Sequence, residues 1–181
     1  MNDTPAVLPD LYTLISLFYS DPARLAHFES VTDDEMPADY AGLLAHENHM
    51  TVTVERFFGS SVDVKVLDTD TTNTHYARKI LLSRQTDGQI VQFGIMRLKL
   101  SCLSPPVRKE VESQQTPLGQ ILIQHNVLRE VHLVKLWKTQ LGADLAEYFG
   151  AAEGTTTYGR TAMIDCNGEP GVELLEIVRP V

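Results

Sequence analysis

Three charged side chains stand in line with apolar ones along strand-forming segments, and together they carry the chemistry of anion recognition. In Tyr76-Ala77-Arg78-Lys79-Ile80-Leu81-Leu82, strand alternation puts Tyr76, Arg78, Ile80 and Leu82 on one face and Ala77, Lys79 and Leu81 on the other. Lys79 suits a solvated edge, but Arg78 shares its face with groups that seek a core. A guanidinium cannot shed its charge, so its burial calls for an anion, an acidic side chain or a ring of acceptors. Arg78 is therefore a structural ion pair, a stem packed on the core with its head in water, or a socket for an anionic ligand.

The last predicted strand repeats the anomaly with opposite charge. Val172, Leu174, Glu176 and Val178 fall on one face, and Glu173, Leu175, Ile177 and Arg179 on the other. A carboxyl on an apolar face can give or take a proton near neutral pH; Glu176 could equally pair with Arg78 or Arg160. Tyr158-Gly159-Arg160 supplies the second cation, on a face with Tyr158, Ala162, Ile164 and Cys166. Two inward arginines and one inward glutamate suit a small ligand with carboxylates and a hydroxyl, a dianion engaging both arginines through bidentate contacts.

Other motifs carry less. His46-Glu47-Asn48-His49 lacks the i, i+4 histidine pair of a zinc helix, and no third ligand stands out, so it reads as a loop entering a strand. His27, His75, His125 and His132 are scattered. Ser101, Ser104 and Ser113 lie in no nucleophile elbow, and there is no glycine-rich phosphate loop.

Periodicity indicates the elements that must position these residues. Leu8, Leu11, Leu14, Ile15 and Phe18 recur at helix spacing until Asp21-Pro22, where Asp21 caps a short second helix. Thr32-Asp33-Asp34-Glu35 reads as a solvated loop. From His49 the period becomes two: Met50, Val52 and Val54 alternate with Thr51, Thr53 and Glu55, predicting a strand before the Gly59-Ser60-Ser61 turn. Val62, Val64 and Val66 predict a second strand and the Arg78 segment a third. After the Asp87-Gly88 hairpin signal, residues 89–100 predict a fourth, with Val91, Phe93 and Ile95 on one face. Together these make a consecutive antiparallel meander.

Beyond Pro105-Pro106, residues 107–113 predict a short helix. Thr116-Pro117-Leu118-Gly119 resembles a helix start, with Thr116 as cap and Pro117 at the first helical position. A strand over 130–138, a helix over 141–149 and a strand over 158–166 follow. Asn167-Gly168 is a type I′ turn leading into the last strand, 172–178. Helices first, then mostly antiparallel strands with helical insertions, make an α+β fold.

The chain has 181 residues, 43% hydrophobic and 22% charged, and the expectation is one domain over 1–181. A net charge of −9 argues against nucleic acid or an anionic membrane surface as partner. An anionic small molecule would need a locally positive pocket. No run reaches the roughly 18–20 apolar residues of a membrane span, and Asn2-Asp3-Thr4-Pro5 does not resemble a secretory signal. Cys102 and Cys166 form no metal spacing or disulfide framework. A cytoplasmic monomer or small homo-oligomer, with no metal or organic cofactor, is expected.

In order along the chain, His49-Met50-Thr51, Arg78-Lys79-Ile80-Leu81-Leu82, Thr116-Pro117-Leu118-Gly119, Tyr158-Gly159-Arg160 and Glu176 before Pro180 resemble the chorismate lyase family, in a divergent branch. These enzymes split chorismate into 4-hydroxybenzoate and pyruvate without a cofactor. The resemblance implies an antiparallel sheet with packed helices, and helical flaps over an internal ligand pocket. It implies that Arg78 holds the ring carboxylate and that Leu118 lends a backbone N–H to it. It further implies that Met50 touches the ligand and that Glu176 meets the ring hydroxyl. A leucine N–H at a helix start makes independent sense for an anion.

The chain departs from the family at Tyr76, where a tryptophan is common, and in a last segment one residue longer. Aligned from the Asn167-Gly168 turn, Leu175 takes the glutamate position; aligned from Pro180, Glu176 does, and its chemistry and facing favour it.

The implied activity is a lyase in which Arg78 and Leu118 anchor the ring carboxylate, Arg160 stabilises the enolpyruvyl carboxylate, and Glu176 orients the hydroxyl or assists proton transfer. The alternatives are a non-catalytic domain that binds an aromatic acid, related to regulator effector-binding domains, and a lyase making a different hydroxybenzoate. The partner in each case is a small molecule.

Overall fold

The computed structural model describes residues 8–127 and 129–181, so the Asn2-Asp3-Thr4-Pro5 segment lies outside the described residues. The strand-forming runs pair into one antiparallel sheet. Its strands are β1 (Ala26–Val31), β2 (Val62–Thr71), β3 (His75–Arg84), β4 (Ile90–Lys99), β5 (Arg129–Leu141), β6 (Thr156–Cys166) and β7 (Glu169–Val178), in the order β1-β5-β6-β7-β4-β3-β2. Asn167 and Gly168, at φ 55° and 84°, make the tight turn that joins β6 to β7, as a type I′ geometry demands. This hairpin puts the last strand at the centre of the sheet, between β6 and β4. The β2 edge is blunted by exposed Lys65, Asp68 and Asp70 and by a register shift between Val66 and Asp68.

Helices cover both faces. On one, α1 (Leu11–Ser16) and α6 (Ala143–Phe149) bury Leu14, Ile15, Leu145 and Phe149 against Leu81, Phe93, Ile95, Leu175 and Ile177. The Lys79 ammonium belongs to this side and sits 4.7 Å from the centre of the Tyr19 ring, a cation–π contact rather than a free edge position. The other face carries α2 (Ala38–Leu44), α3 (Met50–Phe58), α4 (Pro105–Glu112) and α5 (Leu118–Gln124). Its core is split: α4 and α5 pack over Leu98, Ile164 and Val172, while α2 and α3 pack over Leu82, Tyr158 and Val178. The sheet between these two clusters carries the charged side chains.

The architecture matches the expected α+β fold, with differences in the elements. Met50–Phe58 is a helix, not a strand. Its buried positions, Met50, Thr51 and Val54, follow helical spacing, and Val52, which a strand would place with them, is 39% exposed. Burial of that stripe outweighs the weak strand preference of the Val and Thr side chains, and Gly59 ends the helix in the left-handed region at φ 63°. The meander therefore begins at β2. Strand β1 and helix α2 are additional elements in the first third; β1 pairs only with β5 and exposes much of its length. The Thr32–Glu35 stretch contains a short 3-10 turn, Asp33–Glu35. Helix α5 starts one residue later than predicted, with extended Pro117 at the cap position.

Candidate functional site

Register across the sheet brings the separated sequence motifs onto one floor. One cross-strand row runs Arg78, Met96, Leu174, Ala162 through β3, β4, β7 and β6. The next runs Ile80, Gly94, Glu176, Arg160, and a third joins Leu82, Gln92 and Val178. Because alternate residues share a face, Arg78, Glu176, Arg160 and Gln92 all point to the α2–α5 side. Gly94 has no side chain at the middle of the second row, which leaves space between Arg78 and Glu176. A cavity with about 560 Å³ of atom-free space, part of it open to solvent, lies over this floor. Met50, Arg78, Leu118, Arg160 and Glu176 all line it.

Arg78 is 1% exposed and unmatched. Its Nη2 donates to the Thr116 carbonyl at 3.4 Å, and its Nε and Nη1 find no acceptor. Among the described residues no carboxylate pairs with it. Tyr76 stands near enough to influence it electrostatically, yet the hydroxyl makes no hydrogen bond of proper geometry. Burial pulls the Arg78 pKa below its ordinary value, with Tyr76 opposing, but a guanidinium does not deprotonate in a protein. The result is a buried positive charge with two free donors facing a cavity.

Arg160 is as deeply buried, at 0% exposure, and each of its three guanidinium nitrogens has a partner. Its Nε donates to Glu176 Oε2 at 2.8 Å, its Nη1 to the His46 carbonyl at 2.8 Å, and its Nη2 to the Asn48 carbonyl at 3.0 Å. The expected alternative pairing of Glu176 is therefore present, with Arg160. This side chain ties the loop between α2 and α3 to the sheet. Glu176 keeps its other oxygen, Oε1, free of protein donors among the described residues. Leu175 points to the opposite core with Ile177, so Glu176, not Leu175, carries its side chain to the cavity.

The roof is made by the starts of α3 and α5. Gly119 packs so closely on α3 that a Cβ there would stand 3.3 Å from Thr51 Oγ1 and 3.5 Å from the His49 side chain. Leu118 and Gly119 occupy the first turn of α5, where backbone N–H groups have no intrahelical acceptor. His49 lines the cavity, and its Nε2 accepts from Arg129 Nε at 2.7 Å. Burial, then the charges of Arg129 and Arg160, push its pKa down to about 4. The ring is therefore neutral, with its proton on Nδ1. His46 is also held below its usual range, first by burial and then by Arg160. Its Nε2 meets the Leu43 carbonyl at 2.7 Å and its Nδ1 accepts from the Asn48 N–H.

Three cavity residues carry no sequence signal: His49 in this role, Gly94 and Gln92. Gln92 is 3% exposed and its Oε1 has no donor; a polar residue at alternating phase in an apolar strand is the available clue. Away from the cavity, Glu130, His132 and Asp165 bring ligand-type atoms within 4.8 Å of one another at partly exposed positions.

No protein-family profile matches the chain, and no curated protein does. Solved structures do. PhnF from Mycobacterium smegmatis is 12% identical over 73% of this chain and 64% of its own, with a TM-score of 0.51. The effector domain of PhnF is 12% identical, covering 72% of this chain and 88% of that one, also at 0.51. A gene product of Staphylococcus aureus is 10% identical over 69% and 86% of the two chains, at 0.50. The fold is chorismate lyase-like. It is the fold of the GntR-type effector-binding domain, and this chain spans less than two thirds of full-length PhnF. Among the described residues, no helix of this chorismate lyase-like fold is long and apolar enough to cross a membrane.

Proposed function

We propose that this chain is a small-molecule-binding domain whose cavity takes a planar carboxylate of benzoate size. The observation that carries this reading is Arg78: a guanidinium 1% exposed, with Nε and Nη1 unsatisfied. Leaving such a group unpaired is unfavourable, and a bound carboxylate would recover that cost through a charge-assisted pair. Leu118 and Gly119 add backbone donors and His49 adds Nδ1–H. The roof residues Met50 and Leu118 and the floor residues Met96 and Leu174 give the ring apolar walls. Arg78 and Glu176 lie two strands apart and one residue pair apart along the strands, about 12 Å between Cα atoms by sheet geometry. Less the side-chain lengths, that span suits a single substituted ring. The likeness to the PhnF effector domain supports the same reading.

Calorimetric titration with benzoate and with its neutral isostere benzamide tests it. Wild-type protein should bind benzoate and not benzamide, and Arg78→Met should weaken benzoate about 100-fold, a typical loss when one member of a buried charge pair is truncated. Equal binding of the two compounds would sink the anion reading.

The gathering of Met50, Arg78, Leu118, Arg160 and Glu176 around one cavity favours a second reading, a cofactor-independent lyase releasing pyruvate from chorismate. It fares less well chemically. A second ligand carboxylate would find Arg160 already committed to Glu176 and two carbonyls. Pyruvate formed from chorismate faster than the spontaneous rate would restore it.

A further inference from the structure

Among the described residues, the end of the cavity remote from Arg78 holds two acceptor oxygens, on Gln92 and Glu176, and no free cation. Gln92 and Glu176 are diagonal neighbours across β4 and β7, since Gln92 pairs with Val178 and Gly94 with Glu176. Such diagonal side chains on one face lie within about 7–8 Å, close enough to share one ligand atom. Gln92 Oε1 is buried with no donor, and Glu176 Oε1 accepts no hydrogen bond among the described residues, Arg160 being bonded to Oε2. The surroundings, Ile80, Leu82 and Val178, offer neither of them a hydrogen.

A buried acceptor left without a donor, as Gln92 Oε1 is, is costly, and a ligand that brings hydrogens would recover that cost. We propose that Gln92 is a specificity-determining residue, and that it selects a ring carboxylate whose far end bears a group with two hydrogens, an amine. One N–H would meet Gln92 Oε1 and the other Glu176 Oε1. A hydroxyl satisfies only one of the two acceptors, and a methyl neither. Gly94 lines the cavity beside them, and a Cβ there would stand 3.3 Å from Ile80 Cγ1. This rests on the anion reading of Arg78 given above, and its test separates the two.

The experiment is calorimetric titration of the full chain with benzoate and with its 3- and 4-substituted methyl, hydroxy and amino derivatives. At one ring position the amino compound should bind at least tenfold more tightly than the methyl compound, with the hydroxy compound between them. Gln92→Met, close in volume, should bring the three within about twofold of one another. A methyl compound bound as tightly as the amine by wild-type protein, a hydroxy compound bound more tightly than the amine, or a preference that survives Gln92→Met overturns the assignment. The wild-type series is decisive even if the variant does not fold. If benzoate binds through Arg78 and the series is flat, only the Gln92 assignment fails. If no benzoate binds, both fail together.

Discussion

Two arginines on one sheet face, in adjacent rows on β3 and β6, show opposite solutions to the same problem. Arg160 is sealed by its surroundings: a carboxylate and two backbone carbonyls take its donors, and the loop that supplies those carbonyls is fixed in return. Arg78 is equally buried and has one long hydrogen bond. The first is a clamp complete within the protein. The second has two guanidinium nitrogens without a partner among the described residues, which is what the proposed carboxylate ligand would supply. Burial alone says nothing about function; the count of satisfied donors separates a structural arginine from a binding one.

The widest separation between the two should appear on truncation. Arg160→Met leaves Glu176 buried without a partner and strips the His46 and Asn48 carbonyls of their donor. Removing one member of a buried pair destabilises by about 3–5 kcal/mol, and that loss is expected in urea unfolding at pH 7. A loss under about 1 kcal/mol would show that the clamp is dispensable and remove the contrast.

Much of this contrast is legible in the amino-acid sequence. Alternation correctly puts Arg78, Arg160 and Glu176 on apolar faces, because strand side chains have only two directions to choose from. The Asn167-Gly168 turn sets the β6–β7 hairpin and hence the pairing of Arg160 with Glu176. Alternation cannot say which arginine the glutamate will choose, since that depends on strand order: β7 lies beside β6 but is separated from β3 by β4. Met50–Glu55 misleads, because Val and Thr at every second position imitate a strand while Met50, Thr51 and Val54 form a helical stripe. His49 and Gln92 give no usable signal; their roles arise from contacts with Arg129 and with the cavity, made across the fold.

A smaller effect should come from the histidines that flank the clamp. His49 is neutral in the fold, with a pKa of about 4, against roughly 6.5 in an unfolded chain. Between those values the unfolded chain binds more protons, so stability rises with pH across the window. It is fully present above about pH 6.5 and is lost as the pH falls toward 4. At about 1.4 kcal/mol per pH unit, the loss is on the order of 2–3 kcal/mol, and His46 pulls in the same direction. Urea midpoints at pH 7, 5.5 and 4.5 measure it. His49→Gln, whose side-chain oxygen can still accept from Arg129, should flatten the dependence. An equally steep wild-type and variant profile would place the titration elsewhere.

The smallest effect, and the most telling in sign, belongs to Arg78 in ligand-free protein. Arg78→Met gives up one hydrogen bond of 3.4 Å to Thr116 and removes an unpaired charge from a site walled by Met96, Leu118 and Leu174. Replacing buried charge with an apolar chain of similar reach is often neutral or stabilising, so urea unfolding should show no loss and a gain of up to about 1 kcal/mol. The same substitution that is expected to weaken carboxylate binding about 100-fold would then leave the fold as stable as before or more so, the mark of a residue retained for a ligand at some cost to stability. A destabilisation approaching that of Arg160→Met would mean that Arg78 is satisfied in solution, and the two arginines would be two clamps.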